Sequence, residues 1–273
     1  ENLGVANAEI SGGTTNNDYA GGIVAYSVGN TKLKNVFATD TVEVSGRNGR
    51  HGGIAGRTEY TTIEGTYSKA KIGAGGGIVG WTADGTVIND TYSAATIGGT
   101  VGADFIYYID PGTGSTKTKI NNSYALGTRF TYSTGVDNDV FTNTFLVDPT
   151  TRTATQQGGS ATGKGYTSGT YSGWDINNNG DPGAKWRIYE GRTTPLLTAF
   201  MDGTATATYS YRYFNNNGTA PDKIDGVNNT VKSNNGKDLT GLTYNSKYLR
   251  VVDANTPNTP GNKSNIQYEP TVD

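Results

Sequence analysis

Cysteine is absent from this 273-residue chain, histidine occurs once, and charged residues make up only 17%. Without cysteine there is neither a disulfide framework nor thiol chemistry. A single histidine, His51, excludes the paired His-Glu-x-x-His zinc motif. No Gly-x-Ser-x-Gly elbow occurs, which removes the commonest serine hydrolase signature. The formal net charge is −2, so the basic footprint expected of a nucleic-acid partner is missing. No apolar run reaches the roughly 18 residues of a membrane-spanning helix, and no membrane insertion is expected.

Glycine, by contrast, is abundant. The chain has 40, about twice the usual share of roughly 7%, and their placement repeats. Gly21-Gly22-Ile23-Val24, Gly52-Gly53-Ile54-Ala55 and Gly76-Gly77-Ile78-Val79 open three related segments. An apolar residue then precedes an aromatic by four positions: Leu33 and Phe37, Ile63 and Tyr67, Ile88 and Tyr92, Ile120 and Tyr124. Five positions after the first three aromatics stand Val42, Ile72 and Ile97. Aromatic to aromatic, the steps are 30, 25 and 32 residues. Self-similarity of this kind signals a stacked repeat architecture.

Helical repeats of similar length need long runs of period 3.6. Here Gly, Asn, Asp and Thr interrupt every few residues, leaving short alternating stretches such as Thr41-Val42-Glu43-Val44. The expected fold is all-β, a right-handed parallel β-helix, or β-solenoid, with coils about 4.8 Å apart. One coil cannot bury its own inner face, so only the stack is stable. Leu33, Ile63, Ile88 and Ile120 should form one inward column, and Phe37, Tyr67, Tyr92 and Tyr124 another, with a hydroxyl-exposing corner as the alternative placement of the aromatics.

Three sections follow. Residues 1–145 hold the coils. Residues 146–200 form a closing segment whose Trp174, Trp186, Ile188, Tyr189, Leu196 and Leu197 supply apolar mass to cover an open solenoid end. Residues 201–273 form a small β-rich module or linker, with strands expected over 204–211 and 248–252. At the start, Val5 and Ile10 are spaced like Phe37 and Val42. The chain is therefore expected to begin inside a coil and to be a piece of a longer protein.

The segment from Gly76 through Trp81 to Ile88-Asn89-Asp90-Thr91-Tyr92-Ser93-Ala94 resembles the GLUG-type repeat of large bacterial surface proteins, among them filamentous-haemagglutinin-like adhesins and non-catalytic parts of some immunoglobulin A proteases. Thr144 to Asp148, Gly163 to Thr167, Gly173 to Ile176 and Trp186 to Leu197 are similar to the segment that closes such arrays. One coil departs from the pattern: Gly102-Ala103-Asp104-Phe105 replaces the Gly-Gly-Ile-Val opening, and an insertion follows around 110–114. The resemblance implies a non-enzymatic, extracellular segment of a bacterial surface adhesin or filament. Its partners would be a host or bacterial surface glycan or protein, with self-association end to end as a further option. The alternatives are the stalk or substrate-binding region of a large secreted protease or polysaccharide-active enzyme, and a self-assembling fibre subunit.

Few residues suggest chemistry. Asp175, Asn177, Asn179 and Asp181, with Gly180, match the first half of a calcium loop, in which alternate oxygen ligands wrap a hard cation. Trp186 stands where the bidentate Glu belongs, and Glu190 would have to reach in; the alternative is an Asn-Gly turn. Calcium is the one candidate ion, and no organic cofactor is expected. Arg47, Arg50 and Arg57 crowd one corner region and suit an anionic glycan, since guanidinium matches carboxylate and sulfate. The tyrosines near Phe105 to Ile109 are candidate sugar platforms. His51 reads as a solvated turn residue. Asp137 and Asp139 share a strand face at a spacing compatible with glycoside hydrolysis, or belong to an Asx-rich turn. Gly158 to Lys164 has phosphate-loop spacing, but Gly165 stands where a Ser or Thr is needed.

Overall fold

The inward aliphatic column forms the spine of the structure. Strands Lys32–Lys34, Thr62–Glu64, Val87–Asn89, Lys119–Asn121 and Phe141–Thr142 pair in parallel as a five-stranded sheet. Leu33, Ile63, Ile88, Ile120 and Phe141 lie opposite one another across it. Ile63, Ile88 and Ile120 are fully buried, each such side chain contributing about 1.5–3 kcal/mol. The computed structural model describes residues 1–13, 18–46, 50–99, 101–110, 117–177 and 183–201, with four later strands. It is all-β, its parallel sheets stacking into a β-solenoid. Among the described residues no helix is long and apolar enough to cross a membrane.

Four more ladders complete each coil. The aromatic ladder runs through Leu3–Val5, Val36–Ala38, Tyr67–Ser68, Tyr92–Ser93, Tyr124–Leu126 and Phe145–Val147. Next comes the ladder of Ala8–Ser11, Val42–Ser45, Lys71–Ile72 and Thr96–Ile97. A glycine ladder follows, with Ala20–Gly21, His51–Gly52, Gly75–Gly76 and Gly102–Ala103. Last is the ladder of Val24–Ser27, Ala55–Thr58, Val79–Thr82 and Ile106–Ile109.

The glycine pairs mark a point of backbone crowding. A Cβ on Gly53 would lie 2.3 Å from the Gly77 carbonyl oxygen of the next coil. The departing coil keeps the register: Gly102 pairs with Gly75 and Ala103 with Gly76. Phe105 continues the column of Ile54 and Ile78, its N–H donating to Phe130 while Ile78 donates to it. Asp104 is tolerated because its carboxylate accepts the Thr128 and Arg129 N–H groups, both at 2.7 Å. Another corner explains the Asn and Asp of the repeat. Asn2, Asn35, Gly65, Asp90, Asn122 and Asn143 all have φ of 46–59°, a region these residue types enter at least cost.

Two expectations about register and facing are corrected. Val44, not Val42, lies opposite Ile72, and Ile10 pairs with Val44. Gly4, not Val5, lies opposite Phe37. A turn closed by the Val42 N–H on the Thr39 carbonyl, 3.1 Å, takes up the extra residues of that coil. The aromatic column does stack, with ring centroids 5.1, 5.2 and 5.2 Å apart from Phe37 to Tyr124. It faces outward, however, because the inward positions beside it are taken by the buried Val36, Ala38, Ser68, Ser93 and Ala125.

The closing segment explains that outward face. Only part of it closes an edge: Thr153–Gln156 and Thr162–Lys164 add antiparallel strands beyond Phe145–Val147. The apolar mass instead folds back along the side of the stack. Tyr171 and Trp174 pack on Phe145, Trp186 on Tyr124 and Tyr92, and Phe200 edge-on against Tyr67 and Phe37. Going forward in sequence, the cover therefore walks backward down the coils. The Tyr124 hydroxyl donates to the Pro195 carbonyl at 2.7 Å, and Lys185 Nζ donates to the buried Asp90 at 2.6 Å. Glu1–Phe200 forms one compact unit.

Met201–Asp273 is a second unit. It contains two antiparallel pairs, Tyr211–Phe214 with Asn265–Tyr268 and Leu242–Asn245 with Tyr248–Val251. Of the strand expected over 204–211, residues 204–210 lie outside the described residues.

Candidate functional site

Five positions after the first glycine of each Gly-Gly opening, or after Ala103, which pairs with Gly76 in the departing coil, each of four coils places a bulky planar side chain. These are Tyr26, Arg57, Trp81 and Tyr108. The parallel register sets them side by side, Tyr26 on Arg57, Arg57 on Trp81 and Trp81 on Tyr108. Tyr26 is 45% and Tyr108 38% exposed, unlike the covered tyrosines Tyr92 and Tyr124 of the other aromatic column.

Arginine organises this row. The Arg57 guanidinium sits 5.4 Å from the Tyr26 ring and 5.4 Å from Trp81, and Arg50 lies 4.4 Å over Trp81. Guanidinium over an aromatic face is worth about 0.5–1 kcal/mol where exposed. Tyr19 bridges the two, its hydroxyl accepting from Arg57 at 2.9 Å and from Arg50 at 3.4 Å, and its ring stacks on Tyr26 at 5.9 Å. Arg57 also pairs with Glu59. Partial desolvation and the Glu59 carboxylate push the Tyr26 hydroxyl above its ordinary value. Beyond Tyr108, Tyr107 stacks on Tyr132 at 5.2 Å, and Arg129 lies 5.0 Å over Tyr132. In the row Tyr26, Arg57, Trp81 and Tyr108, flat rings are thus held in place beside cations. Such a face can stack on planar or sugar surfaces and present guanidinium to oxygen acids.

Arg50 and Arg57 are therefore brought together as the sequence suggests, whereas Arg47 lies outside the described residues. Tyr19, Tyr26, Glu59 and Trp81 were missed. For Tyr26 and Trp81 the signal is in the repeat itself, as a fixed offset from the glycines, whereas Tyr19 and Glu59 carry no repeated offset.

The calcium loop is described only at its ends. Asn179 and Asp181 lie outside the described residues, and only the backbone of Asn177 is described. The Asp175 carboxylate accepts the Lys185 N–H at 3.1 Å. Glu190, the distant candidate ligand, accepts the Ser168 N–H at 3.0 Å. Trp186, at the position a bidentate Glu would occupy, is buried in the cover.

Other candidates take structural positions. His51 is fully buried, not a solvated turn residue. Gly12 and Gly46 leave room for its ring, which a Cβ on either would meet at 2.3 and 2.2 Å. Asp137 pairs with Lys117 at 2.6 Å and Asp139 with Lys119 at 3.2 Å. The Lys119 hydrogen bond, helped by Lys117, holds Asp139 below the ordinary carboxylate value, the wrong direction for a proton donor near neutrality. Thr162–Lys164 is a hairpin strand rather than the start of a helix, so the phosphate-loop spacing lacks its context. No protein-family model, curated protein or solved structure matches the chain.

Proposed function

We propose that the chain is a non-enzymatic, extracellular β-solenoid segment of a bacterial surface adhesin or filament, serving as a stiff rod that carries a binding surface. The resemblance of the Gly76–Ala94 segment to GLUG-type repeats points to that setting. One observation carries the reading: the unbroken parallel register that lines up Tyr26, Arg57, Trp81 and Tyr108 on the outside of the stack. Backbone ladders stiffen the rod, and weak contacts repeated along it add avidity. The ion-paired state of Asp137 and Asp139 favours binding over hydrolysis.

The test is retention of the purified chain on bacterial and host cell surfaces, with peptide and polysaccharide turnover assayed in parallel. Saturable retention without turnover is expected. Saturable hydrolysis that is lost in Asp137→Asn or Asp139→Asn would replace the rod with an enzyme.

A further inference from the structure

We infer that the outward row Tyr26, Arg57, Trp81 and Tyr108, flanked by Arg50 and Tyr19, binds an acidic polysaccharide lying along the solenoid, about one sugar to a rung. This rests on the reading of the chain as a binding rod and names that rod's ligand and site.

The row differs from the outward positions of the neighbouring ladders. Glu9, Glu43, Lys71 and Thr96 line one of them, a plain charged and polar row. Lys32, Thr62, Val87 and Lys119 line another. Among the described residues, the closing segment packs on the other outward aromatic row but not on this one, where Tyr26 and Tyr108 are exposed. Tyrosine and tryptophan supply large rigid contact area at low entropic cost, and here arginine stacking and the Tyr19 bridge fix the rings further.

Period and charge select the occupant. Successive rungs are about 4.8 Å apart, comparable to the advance per residue of an extended β-linked pyranose chain. Each sugar can then meet one side chain of the row, and the next sugar meets the next. Guanidinium groups of Arg50 and Arg57 accompany the rings, against the Glu59 carboxylate paired to Arg57. Arginine stacks on a ring and offers a planar donor fork to a carboxylate in the same pose. The ligand is accordingly a polyuronate, with carboxylates repeating along the chain.

The experiment titrates the full chain with β-linked polymannuronate oligosaccharides of increasing length, and with β-linked cello-oligosaccharides as the neutral counterpart, by calorimetry at low and high salt. The expected result is binding to the polyuronate alone, weakening with salt, with affinity rising until the oligomer spans the row. The double variant Tyr26→Ala, Arg50→Ala should lose at least tenfold in affinity, while Lys71→Ala on the neighbouring ladder loses none. Thermal unfolding of each variant checks that the fold is intact, and Tyr26→Phe should retain binding if the ring is the platform. Equal binding of the neutral oligosaccharide overturns the acidic assignment. Affinity independent of length overturns the rung-by-rung geometry. Retention on cells that the double variant leaves unchanged overturns this site but not the rod reading, whereas absence of retention on any surface overturns that reading itself.

Discussion

Two aromatic columns run up the outside of this solenoid, and their fates differ. Phe37, Tyr67, Tyr92 and Tyr124 stack ring on ring, nearly parallel, and are roofed by Phe200, Trp186 and Trp174. Tyr26, Arg57, Trp81 and Tyr108 are equally regular, yet are interleaved with guanidinium, and the outer members Tyr26 and Tyr108 are exposed. Stacking alone does not separate a core from a surface in a repeat protein. What separates them is the chemistry between the rings. An all-aromatic column invites a second apolar layer, whereas one cut by cations remains solvated, since desolvating an ion is costly.

The largest effect should come from beneath both columns. Ile88→Asp places a charge among Ile63, Ile120 and their neighbours, with no partner in the stack. Circular dichroism on heating should show no cooperative transition; native-like melting would contradict the stacked core. Next comes a paired substitution that tests the contrast directly. Trp186→Ala, in the roof, should cost about 3–5 kcal/mol. Trp81→Ala, half-buried in the bare column, should cost about 1–2 kcal/mol because less of its area leaves water. Equal losses in denaturant unfolding would erase the distinction between roof and surface.

Much of this was legible in the chain. The aliphatic column was, since Leu33, Ile63, Ile88 and Ile120 each precede an aromatic at a constant offset. The aromatic column was legible as a column but not as an outward one. Strand parity depends on corner geometry, and the roof over it comes from residues around 171–200, far along the chain. Val42 was mistaken for Val44 because a turn at Thr39 adds residues within one coil, which a fixed offset cannot register. The burial of His51 was hidden for a different reason. Its space is made by the missing side chains of Gly12 and Gly46, one in a neighbouring coil and one in its own. Arg50 and Arg57 stand out by their crowding in sequence, and Tyr26 and Trp81 share the offset of Arg57 from the glycines, whereas Tyr19 reaches them only through the fold.

A smaller, more selective perturbation is to unlatch the roof. Tyr124→Phe leaves the Pro195 carbonyl without its hydroxyl donor and should cost about 1–3 kcal/mol. High pH should act on the same latch. Burial raises Tyr124, Tyr92 and Tyr171 above the tyrosine value of 10.0, and the Asp90 hydrogen bond raises Lys185. A raised folded-state pKa gives stability that is complete below the unfolded value and lost as pH climbs toward the folded one. All four groups therefore loosen the roof in the same direction, at alkaline pH. Tyrosinate absorbance should show these rings ionising together with loss of near-ultraviolet dichroism. Ionisation of every tyrosine before any dichroism is lost would mean that the column is not covered.

The smallest effect is expected at the bare column. Tyr26→Ala removes a ring that is 45% exposed and leaves Tyr19 still held by Arg57 and Arg50. Its stability cost should stay below about 1 kcal/mol, in the range of surface changes that open no cavity. The same substitution on the roofed side, Tyr92→Ala, removes a ring stacked between Tyr67 and Tyr124 and packed under Trp186, and it should cost several-fold more. Denaturant midpoints of the two variants, measured with unchanged slope, give the ratio. If Tyr26→Ala proved as costly as Tyr92→Ala, the exposed rings would be part of the fold's stability, and their availability as a binding platform would be in question. A small loss for Tyr26 beside a large one for Tyr92 leaves the exposed row able to change without unfolding the solenoid.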